Sequence, residues 1–324
     1  MNTQAAPMIE IAAVPEVLET EAKTTSINQP IRLAVYEKRR WLYILALPLM
    51  WLLTVYVMAK KAICKLFNRP VPRINSFWFD GLGLSPRKVK ENAASWQALD
   101  EIYNYNFDHL ISPGILVDNF WEGMMNCQAL RNRFKLVKQE LRRAILRFSN
   151  HKEVRLISLA SGSAQAVIEV LAELKTKGII VRVVLLDIDQ SALDYAMGLA
   201  RKHSVSDQIE PVRASVSRVV KISRDFKPQV IEMVGLLDYI PQQKAIRLAT
   251  KIRESLEPKG VFITCNIASN LEMYFVHWVV NWSMIYRTPE ELAEVIVKAG
   301  FSDCRLIYEP LKIHGLAIAQ KDSA

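Results

Sequence analysis

The sequence predicts an α/β fold in its carboxy-terminal half, a mostly parallel sheet with helices on both faces, and three observations carry that expectation. Strand-like apolar runs at 155–159, 181–186, 229–233 and 261–266, with a shorter one at 209–212, alternate with helical patterns. Such alternation implies parallel pairing through right-handed crossovers. The first strand leads into Ala160, Ser161, Gly162, Ser163 and Ala164, small residues that let the backbone approach a ligand, and a helical pattern follows at once. The second strand ends at Asp187, twenty-five residues beyond Gly162, a suitable place for a carboxylate that grips ribose hydroxyls.

Composition bounds the rest of the chain. With 324 residues and 51% hydrophobic content, the chain can hold one domain of ordinary size plus extra segments, and disorder throughout is excluded. Cys64, Cys127, Cys265 and Cys304 lie far apart without metal-ligand spacing, so they read as free thiols and no metal site is expected. The net charge of +9 is unevenly spread. Residues 60–150 alone hold fifteen Lys or Arg against eight Asp or Glu.

Residues 1–40, rich in Ala, Thr, Glu and Pro, read as a mobile tail. Residues 41–59 form an uncharged run of nineteen residues, close to the roughly twenty that cross a bilayer, with Lys38, Arg39 and Arg40 before it and Lys60, Lys61 and Lys65 after it. A transmembrane helix is expected there; the competing reading is a buried or interfacial helix over an apolar face of the domain. The segment 68–86, with its prolines and with aromatic residues at Phe77, Trp78 and Phe79, reads as an irregular connector.

Residues 60–150 are expected to form a basic helical linker or cap. In its clearest helix, Leu130, Phe134, Val137, Leu141 and Ile145 recur at three- and four-residue spacing, leaving Arg131, Lys135, Lys138, Arg142 and Arg143 mostly on other faces. Those cations suit either simple solvation or anionic lipid headgroups. Nucleic acid is not expected as a partner, because aromatic and basic residues do not interleave as a base-stacking surface requires. The remainder, 151–324, closes with two β-rich runs and a turn, 302–321, expected as an antiparallel hairpin at the sheet edge.

The order of these features resembles the class I S-adenosylmethionine-dependent methyltransferases: a small-residue loop after the first strand, an acidic end to the second, LLDY after the fourth, LEPKGVFI into the fifth, then the hairpin. The resemblance covers about 153–321 and implies a Rossmann-like fold with a seven-stranded sheet, and S-adenosyl-L-methionine as cofactor. A closer likeness joins GLLDYIP and CNIASNLEMYFVHWVVNWSMIYRTPEEL to the bacterial group of the enzyme that makes 3-hydroxypalmitic acid methyl ester, in which an aromatic-rich helix ends in a pattern matched by Trp282, Tyr286 and Arg287. NCQALRNRF in the preceding helical region also looks like that group. The chain departs from the wider family at Ser158, where an acidic residue is usual, and at Ala160 and Ala164, where glycines are usual.

The resemblance implies that Ala160, Ser161, Gly162, Ser163, Asp187 and Asp189 hold the cofactor, and that Ala214 and Ser215 meet its adenine. Asp189 has a competing explanation as the N-cap of the following helix. The acceptor pocket is expected above the carboxyl ends of the strands, with Asp238, Tyr239, His277, Trp282, Tyr286 and Arg287 as candidates. Arg287 would hold an acidic acceptor in a bidentate fork, or else pair with Glu290 or Glu291. His277, within an apolar run, reads as a core histidine before it reads as a base. A carboxylate acceptor needs no strong base, and no Pro-Pro-aromatic motif follows the fourth strand, which counts against exocyclic base amines. The expected function is O-methylation of a hydrophobic acid at a membrane, with membrane lipid as partner and the catalytic part on the cytoplasmic side. A soluble metabolite, a protein side chain, or a binding module without turnover are the alternatives.

Overall fold

The computed structural model describes residues 8–13, 36–38, 41–71, 77–107 and 112–323. A short strand, β1 (Met8–Ala13), precedes the long helix α1 (Trp41–Leu66). After a π-helical turn at Phe77–Gly81 come four cap helices, α2 (Leu84–Glu91), α3 (Trp96–Tyr103), α4 (Pro113–Glu122) and α5 (Met125–Leu146). The alternating half contains β2 (Val154–Leu159), α6 (Gln165–Thr176), β3 (Val181–Asp187), α7 (Gln190–Lys202), β4 (Ile209–Arg213), α8 (Val219–Phe226) and β5 (Val230–Met233). It continues through α9 (Gln242–Ser255), β6 (Val261–Ile267), α10 (Met273–Trp278), α11 (Pro289–Lys298), β7 (Asp303–Tyr308) and β8 (His314–Gln320).

The strands form one sheet in the order β1-β7-β8-β6-β5-β2-β3-β4. All neighbours pair in parallel except β8, which runs antiparallel to β6 and β7. Two sequence expectations change here. The sheet has eight strands, because Met8–Ala13, assigned to the mobile tail, pairs with Asp303–Tyr308; and the carboxy-terminal strand lies inside the sheet, between β6 and β7. β8 explains its own position, since five of its seven residues are buried as an interior strand requires.

Helices cover both faces. On one, Leu141 and Ile145 of α5, Ile168 and Leu171 of α6 and Leu193 of α7 pack on Val154, Leu156, Val183 and Leu185. On the other, Val219 of α8, Leu248 and Ile252 of α9 and Leu292 and Ile296 of α11 pack on Ile157, Leu159, Ile231 and Phe262. Each fully buried side chain of this size contributes about 1.5–3 kcal/mol. Local signals set the helix starts: Pro113 follows the N-cap Ser112, and Thr288 and Glu291 form a reciprocal capping box around Pro289.

The cap forms a third cluster above the carboxyl ends of the strands, with Phe79, Val89, Ile102, Trp121, Leu130 and Phe275 at its centre. Phe79 meets Trp121 and Phe275 edge-on, with ring centroids 4.9 and 5.3 Å away. Thus 60–150 is a packed part of the domain. The cations of α5 are also spoken for: Lys138 pairs with Glu169, Arg142 with Glu173, and Arg143 with Glu140, so this helix turns its charges to acidic partners, two of them on α6. Helix α1 runs seven residues past the expected end and buries Met50, Leu53, Thr54 and Val57 against the cap.

Candidate functional site

A cavity of about 450 Å³ opens at the β2–α6 loop and extends under the cap. Its size lies within the range of small-molecule sites. The loop shape comes from three residues with left-handed backbone: Ala160 (φ 50°), Gly162 (φ 53°) and Ala164 (φ 49°). Alanine in this region carries roughly 1–2 kcal/mol of steric cost, which glycine avoids. The chain keeps the loop conformation at the two positions where the sequence shows alanine in place of glycine. At Gly162 itself a Cβ would lie 3.3 Å from Cβ of Trp96, so α3 of the cap closes directly over the loop.

Asp187, at the end of β3, organises this mouth. Its Oδ2 accepts from the Gly162 amide (2.8 Å), and its Oδ1 accepts from the Asp189 amide (2.9 Å). Two amide bonds leave lone pairs free on an ionised carboxylate. Asp189 caps α7, accepting from the Ser191 amide (2.8 Å) and hydroxyl (2.7 Å), while also lining the cavity. Those bonds hold its carboxyl below the usual range. Ala160, Ser161, Gly162 and Ser163 all line the wall, and the buried Ser161 hydroxyl has no hydrogen-bond partner among the described residues. Ala214 and Ser215 do not reach the cavity: the Ala214 amide donates to the Asp187 carbonyl (2.8 Å) and Ser215 caps a short turn. Ile188 lines that side of the mouth instead.

On the neighbouring strand stands a residue that sequence reasoning missed. Glu232 of β5 sits in register with Ser158 of β2, and the Ser158 hydroxyl donates to Glu232 Oε2 at 2.6 Å. Both side chains are buried and both line the cavity. Desolvation raises the Glu232 carboxyl to about 7, against the hydrogen bond from Ser158 and the nearby Arg133 cation. The acidic group expected at Ser158 is therefore present one strand over.

Deeper in, the six acceptor candidates separate. Asp238, Tyr239 and Trp282 line the cavity, while His277, Tyr286 and Arg287 do not. Asp238 Oδ1 accepts from the Ile267 amide (2.9 Å), and burial raises its carboxyl to about 6. Trp282 Nε1 donates to the Tyr239 hydroxyl at 2.6 Å. The aromatic helix expected to end at Arg287 stops at Trp278, and Asn281 turns the chain with φ 61°, so Trp282, Tyr286 and Arg287 lie on an irregular segment. His277 is exposed, 3.1 Å from the Ser283 hydroxyl, rather than in the core.

Arg287 lies outside the cavity lining and gives its donors to the protein. Its Nε donates to Gln242 (2.7 Å), one terminal nitrogen to the Leu237 carbonyl (2.7 Å) and to Asn266, and the other to the Ile240 carbonyl. It clamps the turn that presents Asp238, and neither Glu290 nor Glu291 pairs with it among the described residues; Glu291 instead completes the capping box at Thr288.

The cavity's cation is Arg133 of α5, also missed from sequence. Its guanidinium is buried, donates to the Tyr103 hydroxyl at 2.5 Å, and lies 4.0 Å from Asp238 Oδ2 and 3.9 Å from the Cys265 sulfur. Its Nε has no hydrogen-bond partner among the described residues. Helix α5 brings it there because Glu272 holds the helix start, accepting from the amides of Met125 (3.0 Å) and Asn126 (2.8 Å). Elsewhere the cavity wall includes the apolar residues Phe79, Ile102, Trp121, Leu130, Val276 and Val280.

A parallel sheet with one antiparallel strand inserted between β6 and β7, small-residue loop, acidic second strand and roofed cavity define a nucleotide-binding α/β protein of the methyltransferase type. The chain belongs to the family described as putative methyltransferase, whose model matches residues 66–321. No curated protein matches it. Among solved structures it is similar to a possible exported protein from Bordetella parapertussis, at 15% identity over 88% of this chain and 100% of that one, with a TM-score of 0.63. It is also similar to magnesium protoporphyrin IX methyltransferase from Synechocystis PCC 6803 with bound SAH, at 11% identity over 73% of this chain and 98% of that one, with a TM-score of 0.52. At these identities the likeness is one of fold.

Proposed function

We propose that the protein transfers a methyl group from S-adenosylmethionine to the carboxylate of a hydrophobic acid at a membrane surface, in the manner of the bacterial enzymes that make fatty-acid methyl esters. The observation that carries this reading is Arg133, a buried guanidinium in the wall of a largely apolar cavity that donates to Tyr103, lies 4.0 Å from Asp238 and keeps an Nε with no hydrogen-bond partner among the described residues. A buried cation without full partners is costly, and an anionic ligand group relieves that cost. Asp238, 4.0 Å away, is the carboxyl paired with this cation, and burial raises it to about 6.

The cofactor fits the residues at the mouth. Ribose hydroxyls would meet Asp187, the amino-acid end would meet Ser161 and Glu232, and Asp189 and Ile188 would flank the nucleoside. S-adenosylmethionine supplies an activated methyl group on a sulfonium. Held at this mouth, it would give that methyl group to the acceptor oxygen, and the electron pair of the broken methyl–sulfur bond would stay on sulfur. Arg133 orients the acid, Tyr103 fixes the guanidinium, and Trp96 with the cap excludes water, so positioning supplies most of the rate. No proton need move, since a carboxylate is ionised at neutral pH.

Mass-spectrometric detection of methyl esters after incubating the full chain with S-adenosylmethionine and a panel of fatty and hydroxy-fatty acids tests this directly. Esters from long-chain acids but not from acetate support it. Cofactor binding without any ester product across the panel would exclude the acid acceptor.

A further inference from the structure

We infer that α1 docks flat on a membrane with its outer face in the lipid interface, and does not span the bilayer. The inference rests on the membrane half of the proposed function and is independent of its chemistry. One helical segment of this chain, Ile44–Leu66, is long and apolar enough to cross a membrane among the described residues, with a mean hydropathy of 1.5. A span requires the chain before it and the chain after it to lie on opposite sides. Here both are tied to one folded body.

Before the helix, Glu37 pairs with Arg131 of α5 through two bonds, of 2.7 and 2.8 Å, and its amide donates to Asn132 (2.8 Å). Tyr36 reaches Gln139 on the same helix at 3.1 Å, and β1, farther upstream, pairs with β7. Near the other end, Lys61 donates to the Trp278 carbonyl (2.7 Å) and to Asn281 (2.5 Å). Just beyond, Phe79 is buried in the cap. Between these anchors Met50, Leu53 and Val57 form one buried stripe at helical spacing. At 26 residues the helix is about 39 Å long, and its contacts with the folded body run from Leu47 to Lys61.

Its outer face is left apolar. Leu45 is 73% exposed, Leu52 70% and Leu66 80%, and the surface continues onto Leu271 and Tyr274 beside α10. Lys60, Lys65 and Arg69 gather at the carboxyl end of the helix, which contains no acidic residue. The same face of a second copy therefore offers no countercharge, whereas anionic headgroups do. Val276 of α10 and the adjoining Val280 also line the cavity, so a single helix separates the docked α1 from the apolar chamber.

Two measurements test this on the full chain. With epitopes at Met1 and Ala324 in a bacterial host, protease should spare both in spheroplasts and remove both in inverted membrane vesicles; cleavage of the Met1 epitope alone in spheroplasts would establish a span and overturn the inference. In flotation, the protein should rise with vesicles of phosphatidylcholine and phosphatidylglycerol. The Leu45→Glu/Leu52→Glu variant should lose about tenfold or more of the bound fraction while its calorimetric affinity for S-adenosylmethionine stays unchanged. Undiminished flotation of the variant, or a wild-type dimer that ignores vesicles, counts against the inference.

Discussion

Ser158 and Glu232 face each other on adjacent parallel strands, hydroxyl to carboxylate at 2.6 Å, and so move the acidic group of the cofactor loop from one strand to the next. A buried carboxyl near 7 should respond to a cationic ligand by giving up its proton. Affinity for S-adenosylmethionine should therefore rise with pH up to about 7 and then level off. Glu232→Gln should weaken binding by about ten- to a hundredfold, the size of a charge-assisted hydrogen bond, and flatten that profile. Calorimetry in buffers of different ionisation enthalpy reads the proton release; equal release in both proteins would remove Glu232 from this role.

Arg133→Met should raise KM for an acid acceptor by about ten- to a hundredfold, while S-adenosylmethionine affinity changes by less than about threefold. Arg133→Lys, which keeps charge but not the planar fork, should recover only part of the loss. Steady-state kinetics at saturating cofactor separates the two effects, and a loss confined to kcat would argue against a binding role.

Arg287→Ala should act on stability alone. Removing the donor to Leu237, Ile240, Gln242 and Asn266 leaves buried acceptors unpaired, at a cost of about 3 kcal/mol. Chemical denaturation should show that loss. Preserved folding with a selective KM effect would instead return Arg287 to the acceptor site.

The contribution of three buried carboxyls to ligand-free stability should fall as pH rises from about 4 to 7. Glu232, Glu122 and Asp238 lose protons near pH 4 to 4.5 when unfolded, but near 7, 7 and 6 when folded, because burial disfavours their charged forms. The folded state holds extra protons between those limits, so this contribution is complete below pH 4 and disappears as pH passes through 6 to 7. The melting temperature of Glu232→Gln should depend less steeply on pH over this range than that of the wild type; parallel profiles would contradict the assignment.

At the loop, Gly162→Ala should destabilise by about 1–2 kcal/mol, since it adds left-handed strain and a 3.3 Å approach to Trp96. Ala164→Gly relieves the same strain but frees the unfolded chain, and should change stability by less than about 1 kcal/mol. Thermal unfolding of both variants checks the opposite tendencies.

The alternating strands and Asp187 were legible because burial on two faces writes continuous apolar runs, and a strand end places its last residue at the ligand. Arg133 was not legible, because α5 is enclosed on more than one side where it passes between cap and sheet: Met125, Asn126, Arg131 and Asn132 are buried as well. A single apolar stripe cannot signal that. Glu232 was hidden for a related reason: its meaning comes from the strand register that sets it opposite Ser158, and adjacency in the sheet is not adjacency in the chain. Arg287 follows an aromatic run with the pattern of one helix, whereas the helix stops at Trp278 and Asn281 turns the backbone, leaving Arg287 outside the cavity lining.

Strand β1 has a practical side. By pairing with Asp303–Tyr308 it screens the outer hydrogen-bonding groups of β7. A shortened chain begun after α1, the natural choice for improving solubility, would leave that row of amides and carbonyls bare and offer other molecules a template for strand addition. Removing the apolar helix could thus exchange one source of self-association for another, and retaining Met8–Ala13 is the safer course.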